Sequence, residues 1–375
     1  MTEQATKTQT EPAEYGVVDA DALRRWVAAV FQSLGVSEAD AQVTADNLVS
    51  ADVRGIESHG VARLGGYTGR IQQGRALAHV EPEIVHETPT TATVDARNGL
   101  GQPASKFAME LAIRKAHETG QGAVAVRNSN HYGIAGYWAM MALPHDMIGT
   151  SYTNSSALLV PTNARIAMTG TNPIAVAVPT AEERPWVLDM ATTVVPRGKL
   201  EVYRRKGLPL PLGWAVDATG QPTSDAAAVL KAMDERTGGG ILPLGGTALF
   251  SGYKGYNLSA MVDILCGVLS GSAWGPHVDG LHGGEAGPAG TGHFFSAMRV
   301  HAFRPAEEFK REMDEYIRTL RNSPKAEGAD RVWVAGEKEW ELTEKHEREG
   351  VPLYHKVIDR LREIGDDIGP RFDLL

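Results

Sequence analysis

A strand, a polar loop and an apolar helix follow one another between residues 123 and 143. The strand reads AVAVR, the loop NSNHYG and the helix GIAGYWAMMAL. This order places the loop at the carboxyl edge of a sheet, which is where open α/β sheets bind ligands. Similar strand patterns recur in MIGTSYT, which precedes Asn154 and Ser155, and in WVLDM, which contains Asp189. The sequence therefore predicts an α/β fold with ligand-binding loops at the sheet edge, and His131 lies in one of them.

The N-terminal region has a different pattern. Asp19 and Ser37 are suited to cap two successive helices, because helix-forming segments follow both. We interpret residues 15–76 as a helical module and the polar residues 1–14 as a disordered tail. A chain of 375 residues exceeds the size that one hydrophobic core supports, so two or more packed units are expected.

Composition excludes several kinds of partner. The net charge of −9 is spread without long runs of one sign, which argues against nucleic acid or an anionic membrane. No apolar run approaches the ~20 residues needed to cross a bilayer, and the N-terminus lacks the apolar segment of a signal peptide. The single cysteine, Cys266, lies in an apolar run, so neither a disulfide nor a reactive thiolate is expected. These features predict a cytoplasmic protein whose partner is a small molecule.

The segment ESHGVARLGGY, residues 57–67, sets ionisable groups among small and apolar ones. If a helix begins at Ser58, then His59, Arg63 and Tyr67 lie four apart in turn and share one face. A guanidinium matches a carboxylate, and an imidazole can exchange a proton at a neighbouring carbonyl or alcohol. This face would suit a 2-oxo or 2-hydroxy acid. The alternative is that these are solvated boundary residues with weak surface pairing.

Lys254 is predicted to lie at or just before the first turn of the helix that follows SGYKG. A lysine is unfavourable there because the helix N-terminus already has positive character. A bound phosphate or pyrophosphate would relieve this conflict. The alternative is a solvated lysine beside turn glycines.

The glycine-rich segment of residues 275–292 also contains possible metal ligands: His277, Asp279, His282 and Glu285. Their spacing matches no closed zinc pattern, and the glycines make preorganisation poor. We therefore interpret this segment as a flexible loop and predict no metal site.

Several common signatures are missing from the sequence. No G-x-G-x-x-G links a predicted strand to a helix, and no P-loop motif is present, so a dinucleotide would have to bind without the Rossmann fingerprint. The motifs H-E-x-x-H and G-x-S-x-G are absent too, which argues against a metalloprotease or an α/β-hydrolase.

Five motifs, taken in order, resemble the malate/L-lactate dehydrogenase type 2 family. They are RGIESHGVARL at 54–64, NSNHYG at 128–133, GTNPIA at 170–175, LDMATT at 188–193 and GYKG at 252–255. The resemblance extends from about residue 17 to 340. Relatives of this family include sulfolactate, ureidoglycolate and diketogulonate enzymes and cyclic imino acid reductases.

The resemblance implies a three-layer, mixed-sheet α/β fold that binds NAD(P) without a Rossmann fold, with a helical N-terminal module, and it implies a homodimer. In this interpretation residues 77–127 with 300–375 form a mixed α/β substrate and dimer domain. Residues 128–299 form the dinucleotide-binding domain. The cofactor is NAD or NADP, and the sequence leaves that choice open.

The resemblance also implies the roles of single residues. In the family the histidine of the SHG motif exchanges the proton, which corresponds to His59, with Ser58 and Arg63 as substrate contacts. The histidine of N-S-x-H-x-G has an acid/base role in some members, and that position is His131. We favour His59 for proton transfer, because Arg63 can hold the substrate carboxylate, and assign His131 to substrate positioning. Asp189 would contact the cofactor or orient His59.

The cofactor contacts implied by the family fall on these residues: Ser155, Thr171, Asn172, Asp189, Met190, Ala191, Tyr253, Lys254, Gly336 and Glu337. One departure concerns the last two. Many relatives have P-G-E-R near the C-terminus, whereas this chain has Lys338 in place of the arginine. A lysine lacks the bidentate fork of arginine, so it does not reproduce a bidentate contact made by that arginine.

The predicted activity is reversible hydride transfer between a nicotinamide and C2 of a small 2-hydroxy or 2-oxo acid. Malate and oxaloacetate are the first choice on family grounds, with lactate-like or sulfolactate-like acids next. The alternative is an NAD(P)H-dependent reductase of cyclic imino acids, in which C=N replaces C=O. Other classes would be a histidine-dependent metal hydrolase or a non-catalytic ligand-binding protein.

Overall fold

The computed structural model describes residues 15–279 and 287–375. The predicted tail of residues 1–14 lies outside the described residues. The chain forms two units, one up to Gly65 together with Glu339–Leu375, and the other Gly66–Lys338. The functional division of the chain into substrate and dinucleotide domains stays a prediction.

The strands follow in chain order: β1 Tyr15–Val18, β2 Glu83–Glu87, β3 Thr91–Asp95, β4 Gln121–Ser129, β5 Met147–Thr153, β6 Ile174–Val178, β7 Trp186–Met190, β8 Ala215–Val216, β9 Gly240–Ile241, β10 Thr291–Arg299 and β11 Val351–Tyr354. The α-helices are α1 Ala20–Ser33, α2 Glu38–Val53, α3 Leu64–Gln72, α4 Gly101–Thr119, α5 Ala135–Met140, α6 Arg197–Lys206, α7 Ala226–Glu235, α8 Tyr253–Asp263, α9 Ala306–Arg321, α10 Glu337–Glu349 and α11 His355–Ile368. Among the described residues, no helix is both long and apolar enough to cross a membrane.

The first unit is mainly helical, as predicted for its N-terminal part. The Asp19 side chain accepts a hydrogen bond from the Ala22 N–H, and the Ser37 side chain accepts one from the Asp40 N–H, so both predicted caps are present. The antiparallel pair of β1 and β11 was not predicted. Its four-residue strands come from opposite ends of the chain, and so short a strand has no local pattern to identify it.

The second unit is built on a seven-stranded mixed sheet with the order β2-β3-β4-β10-β5-β6-β7. Only β3 and β4 are parallel, and the other neighbours are antiparallel. The mixed α/β fold class was therefore predicted correctly.

Helices cover both faces of this sheet. On one face, α4 crosses Gly122 and α5 crosses Gly149, where any Cβ atom would overlap the helix backbone. These two glycines flank Ala297 of β10 in register, so they mark the same face. On the other face, α8 and the π-helical turn Ile264–Val268 that follows it pack through Val262 and Cys266. The unit therefore has the predicted three layers.

The excursion after β7 has its own apolar cluster. Residues from α6, α7 and β9, including Leu200, Leu230 and Ile241, are fully buried in it. The sequence of α6 is rich in charge and has few apolar positions, so no local pattern predicted this helix.

Candidate active site

The segment that carries Ser58, His59 and Arg63 belongs to the first unit and is not the helix that the spacing predicts. It forms two 3-10 turns, Glu57–His59 and Val61–Arg63, and α3 begins only at Leu64. The break between the turns falls at Gly60, whose backbone is extended at φ −85° and ψ −153°. The prediction of one helical face shared by His59, Arg63 and Tyr67 is therefore wrong.

Local hydrogen bonds fix the imidazole and the guanidinium within this segment. The Ser58 Oγ lies 2.8 Å from the His59 Nδ1, and the Arg63 Nε–H donates to the Ser58 carbonyl over 2.6 Å. Both His59 and Arg63 are half-buried. The residues that the sequence identified are thus joined through Ser58, although by a different local structure.

The environment of His59 favours the neutral imidazole. Burial and, as a smaller effect, the nearby Arg63 charge together lower its pKa from the ordinary 6.5 to about 4. At neutral pH the ring can therefore accept a proton. An anion bound at Arg63 would offset part of this effect.

The loops of the second unit that were assigned to ligand binding meet at one edge of its sheet. The carboxyl end of β4 lies beside the amino end of β10, since Ser129 pairs with Thr291. Along the same edge Tyr152, near the carboxyl end of β5, pairs with Ile174, and Ile174 pairs with Met190 at the end of β7. The prediction that these loops share a sheet edge is confirmed.

His131 follows β4 at this edge and is hydrogen-bonded through Nδ1. The Tyr67 hydroxyl bonds to this nitrogen, and the Gly133 N–H points to it from 3.3 Å. Because a backbone N–H can only donate, this geometry assigns Nδ1 as an acceptor and leaves the ring proton on Nε2. His131 is therefore suited to donate a hydrogen bond. No local sequence pattern indicates its pairing with Tyr67, which is 64 residues away.

Asp189 is exposed near the end of β7, and its Oδ2 accepts a 2.7 Å hydrogen bond from the Gly136 N–H at the start of α5. Gly136 approaches the carboxylate so closely that a Cβ atom there would lie 2.8 Å from Oδ2. This contact holds the carboxylate at the sheet edge. Met190 and Ala191 follow it and are partly buried.

Ser155, Thr171 and Asn172 form one hydrogen-bonded group beside Asp189's strand. The Asn172 Oδ1 accepts from the Ser155 N–H over 3.1 Å, and the Ser155 Oγ accepts from the Thr171 N–H over 3.1 Å. The Asn172 Nδ2 donates to the Ser259 carbonyl of α8 over 3.0 Å. The backbone at Asn172 has φ +34°, which L residues other than asparagine and aspartate rarely adopt. The loops after β5 and before β6 are thus fixed to each other and to α8.

Tyr253 and Lys254 are the first two residues of α8, as predicted, and both side chains are exposed. Gly255 packs against the backbone of Leu244, so a Cβ atom there would overlap it. Among the described residues no carboxylate lies within ion-pair distance of the Lys254 ammonium. Its position leaves an exposed cation at a helix N-terminus.

Gly336 and Glu337 lie beside β7. Gly336 has φ +90° and packs against Val187. The Glu337 carboxylate accepts hydrogen bonds from Arg321 over 2.6 Å and from Arg331 over 3.0 Å, and these partners lower its pKa although burial acts in the opposite direction. Glu337 thus has a structural ion-pair role in this unit.

The glycine-rich segment of residues 275–292 is only partly described. His277 ends a 3-10 turn, and the Asp279 carboxylate pairs with Arg75 over 2.5 Å and with Arg70 over 3.4 Å. His282 and Glu285 lie outside the described residues. Within residues 15–279 and 287–375, no group of three or more His, Cys, Asp or Glu side chains is arranged to hold a metal ion.

The residues at the sheet edge have the chemistry that a dinucleotide requires. Hydroxyl and amide groups of Ser155 and Thr171 can bind ribose or carboxamide oxygens, and the Lys254 ammonium can bind a phosphate. The Thr193 Oγ1 near this edge is buried and has no hydrogen-bond partner among the described residues. These groups fit a nicotinamide cofactor held without a Rossmann fingerprint.

The chain is similar to proteins of one family over nearly its whole length. The family model for malate/L-lactate dehydrogenase matches residues 18–362. A malate dehydrogenase from Pyrococcus abyssi is 47% identical, over 95% of this chain and 96% of that protein. The crystal structure of a malate dehydrogenase from Entamoeba histolytica superposes with a TM-score of 0.90 at 34% identity, over 94% of this chain and 98% of that one. A Δ1-pyrroline-2-carboxylate/Δ1-piperideine-2-carboxylate reductase from Pseudomonas putida is 33% identical, over 91% of this chain and 95% of that protein.

Proposed function

Because the chain belongs to the malate/L-lactate dehydrogenase family, we propose that it transfers a hydride between NAD(P) and C2 of malate and oxaloacetate. It is an oxidoreductase of hydroxy acids that uses a nicotinamide cofactor. The 47% identity to a malate dehydrogenase over almost the full length of both chains is the observation that carries the choice of substrate.

His59 is the proton-transfer group in this proposal. In alcohol oxidation its neutral imidazole accepts the hydroxyl proton, and in reduction the imidazolium returns a proton to the C2 oxygen. The Ser58 Oγ, 2.8 Å from the Nδ1, can accept the Nδ1–H and so favour the tautomer in which Nε2 carries no proton. When bound, the nicotinamide supplies or accepts the hydride.

Arg63 binds the substrate carboxylate. Its Nε–H is used by the Ser58 carbonyl, and this bond orients the guanidinium plane beside His59. When charge-assisted hydrogen bonds hold the carboxylate of a short acid at Arg63, the adjacent C2 oxygen lies close to the His59 imidazole. His131 contributes a hydrogen bond from its Nε2–H to the substrate and does not transfer the proton.

We assign the cofactor to the sheet edge of the second unit. Ser155, Thr171 and Asn172 would contact it from one side, and the run Asp189, Met190 and Ala191 from the end of β7. Tyr253 and Lys254 would bind its phosphates at the start of α8.

Lys254→Ala is expected to weaken cofactor affinity roughly tenfold, because an exposed charge-assisted phosphate contact contributes on the order of 1 to 2 kcal/mol. Turnover at saturating cofactor should change little. Fluorescence titration of the reduced cofactor and steady-state kinetics would measure the two effects. Lys231→Ala is a matched control, since Lys231 is an exposed helix lysine with only a 3.9 Å ion pair. Unchanged affinity in the Lys254 variant would remove this lysine from the site.

The pH dependence of the two reaction directions is expected to differ. The free-enzyme pKa of His59 is about 4, so kcat/KM for hydroxy-acid oxidation should stay flat down to about pH 5 and fall as the ring becomes protonated. Reduction needs the imidazolium, so its kcat/KM should decline as the pH rises above about 4, the pKa of His59. A carboxylate at Arg63 raises the pKa of His59 in the complex, so kcat for reduction should fall at higher pH than kcat/KM. An oxidation profile that already falls near about pH 6.5, the ordinary histidine value, would contradict the assignment.

A second candidate is the reduction of a cyclic imino acid, favoured by the 33% identity to the pyrroline and piperideine carboxylate reductase. Arg63 would bind the same carboxylate, with C=N in place of C=O. Loss of reduced-cofactor absorbance should be measured with oxaloacetate, pyruvate and Δ1-pyrroline-2-carboxylate, each with NADH and NADPH. The proposal expects the highest kcat/KM with oxaloacetate. A higher value with the imine would select the second candidate.

We also propose that the protein is a homodimer. Four apolar side chains on α8, its π-helical continuation and the residue that caps it are exposed by 37 to 59% of their surface: Met261, Ile264, Val268 and Leu269. Such a contiguous apolar strip is typical of a subunit interface. The cytoplasm is the proposed location, which the single, buried, unpaired Cys266 supports.

Ile264→Glu is expected to weaken the dimer roughly thirtyfold or more, because a buried glutamate opposite the same strip costs on the order of 2 kcal/mol. Light scattering after size-exclusion chromatography would measure the mass over a dilution series. Tyr316→Glu replaces another exposed apolar residue, on α9, and serves as the control. Dimers of unchanged stability in the Ile264 variant would place the interface elsewhere.

A further inference from the structure

Asp52 is a buried carboxyl group that the sequence analysis did not assign to any role. It lies in the last turn of α2 and is 4% exposed. Its side chain faces the segment that carries His59 and Arg63, within the same unit.

Two contacts connect Asp52 to the break between the two 3-10 turns. The Asp52 Oδ2 accepts a 2.7 Å hydrogen bond from the Val61 N–H. Gly60 packs flat against the same carboxyl group, so that a Cβ atom at Gly60 would overlap Oδ1, Oδ2 and the carboxyl carbon. The backbone angles of Gly60 are open to any residue, so glycine is needed there for space and not for conformation.

Backbone hydrogen bonds also fix the path of the chain from the end of α2 to Gly60. The Gly55 N–H donates to the Asp52 carbonyl over 2.9 Å, and Gly55 has φ +74°, which turns the chain back. The His59 N–H then donates to the Ile56 carbonyl, and the Arg63 N–H to the Gly60 carbonyl. The Asp52 carboxyl group thus lies at the one point where the turn of His59 passes into the turn of Arg63.

We propose that Asp52 is a positioning residue for the reaction, which sets the distance and angle between the His59 imidazole and the Arg63 guanidinium by holding Gly60 and Val61. The inference rests on the proposed function of His59 and Arg63. Asp52 does not touch the substrate or the cofactor.

The protonation state of Asp52 explains which substitution should preserve this role. Burial, opposed by the Val61 hydrogen bond and assisted by the nearby Glu57 charge, raises the pKa of its carboxyl group to about 8. At neutral pH the group is therefore largely neutral, and asparagine has the same shape and the same acceptor oxygen. Alanine removes the acceptor and leaves the Val61 N–H unpaired.

The test compares Asp52→Asn, Asp52→Ala and Gly60→Ala. Asp52→Ala is expected to lower kcat roughly 100-fold, the cost of a misplacement of about 1 Å, while the dissociation constant of the cofactor stays the same. Gly60→Ala, which disturbs the same contact from the other side, should lower kcat to a similar extent. Asp52→Asn should retain kcat within about threefold, because the acceptor for Val61 is kept.

A readout that does not need turnover separates this inference from the proposed function. Amide hydrogen exchange of the segment at residues 57–63 should accelerate in Asp52→Ala and stay slow in Asp52→Asn. The control is Asp46→Ala. Asp46 lies on the same helix as Asp52, and its replacement removes a 2.9 Å ion pair with Arg24 of α1, which should leave kcat unchanged. If no variant or parent turned over any 2-oxo acid, the proposed function would fail while the exchange experiment still decided the role of Asp52.

Two results would overturn the inference. One is an Asp52→Ala variant that is folded, as judged by its melting temperature against Asp46→Ala, and that retains both slow exchange and parental kcat. The other is an Asp52→Asn variant that loses as much kcat as Asp52→Ala, because the hydrogen bond to Val61 would then not be the cause.

Discussion

Replacement of His59 by alanine is expected to lower kcat by roughly 10²- to 10⁴-fold, which is the usual contribution of a positioned acid/base group. The cofactor should bind to the variant as it does to the parent, since no contact to the cofactor is assigned to His59. The loss should appear in both reaction directions, because the same ring gives and takes the proton. Stopped-flow or steady-state absorbance of the reduced nicotinamide, with a separate binding titration, would measure the two quantities.

The comparison of two histidine variants makes this test specific. His131→Gln keeps a hydrogen-bond donor near the position of Nε2–H, so we expect a higher KM with a smaller loss of kcat than in His59→Ala. His86→Ala, which removes an exposed histidine of β2, is the control for general effects of histidine replacement. The assignment is contradicted if His131→Gln abolishes turnover and His59→Ala retains it, and the two roles are then exchanged.

Replacement of Arg63 by alanine is expected to raise KM for oxaloacetate roughly 100-fold, since removing one partner of a hydrogen-bonded charge pair costs about 2 to 5 kcal/mol. Arg63→Lys should recover only part of this loss. A lysine keeps the charge, but it lacks the planar fork and the Nε–H that bonds to the Ser58 carbonyl. Steady-state kinetics at saturating cofactor would give both values.

A substrate analogue whose C1 group is neutral separates carboxylate binding from a structural role of Arg63. The parent enzyme should prefer oxaloacetate strongly over its C1 amide, whereas Arg63→Ala should discriminate little between them. A variant that is slower with both compounds by the same factor would show that Arg63 acts on the local structure and does not bind the carboxylate.

The sequence predicted the parts of this molecule that depend on local patterns. Lys254 lies in the first turn of α8, which was predicted to follow the glycine-containing segment SGYKG. The strands β4, β5 and β7 have β-branched or alternating residues. The order of strand, loop and helix then sufficed to place His131, Ser155 and Asp189 at one sheet edge.

Other features depend on contacts between distant residues and have no local signal. The spacing of His59 and Arg63 is that of a helix, but Gly60 packs against the Asp52 carboxyl group and divides the segment into two 3-10 turns. The bond between Tyr67 and His131 joins residues that are 64 positions apart. Strand β1 was missed because the strand it pairs with, β11, lies at the other end of the chain.

Isotope transfer is the most direct test of hydride transfer to C2 of a 2-oxo acid. The enzyme should be incubated with oxaloacetate and a reduced cofactor that carries deuterium at both C4 positions of its nicotinamide, and the malate analysed by mass spectrometry. The account predicts malate with one deuterium, bound to C2, in an amount equal to the cofactor oxidised. Malate without deuterium, or a reduced cofactor that is not consumed in the presence of oxaloacetate, would contradict it.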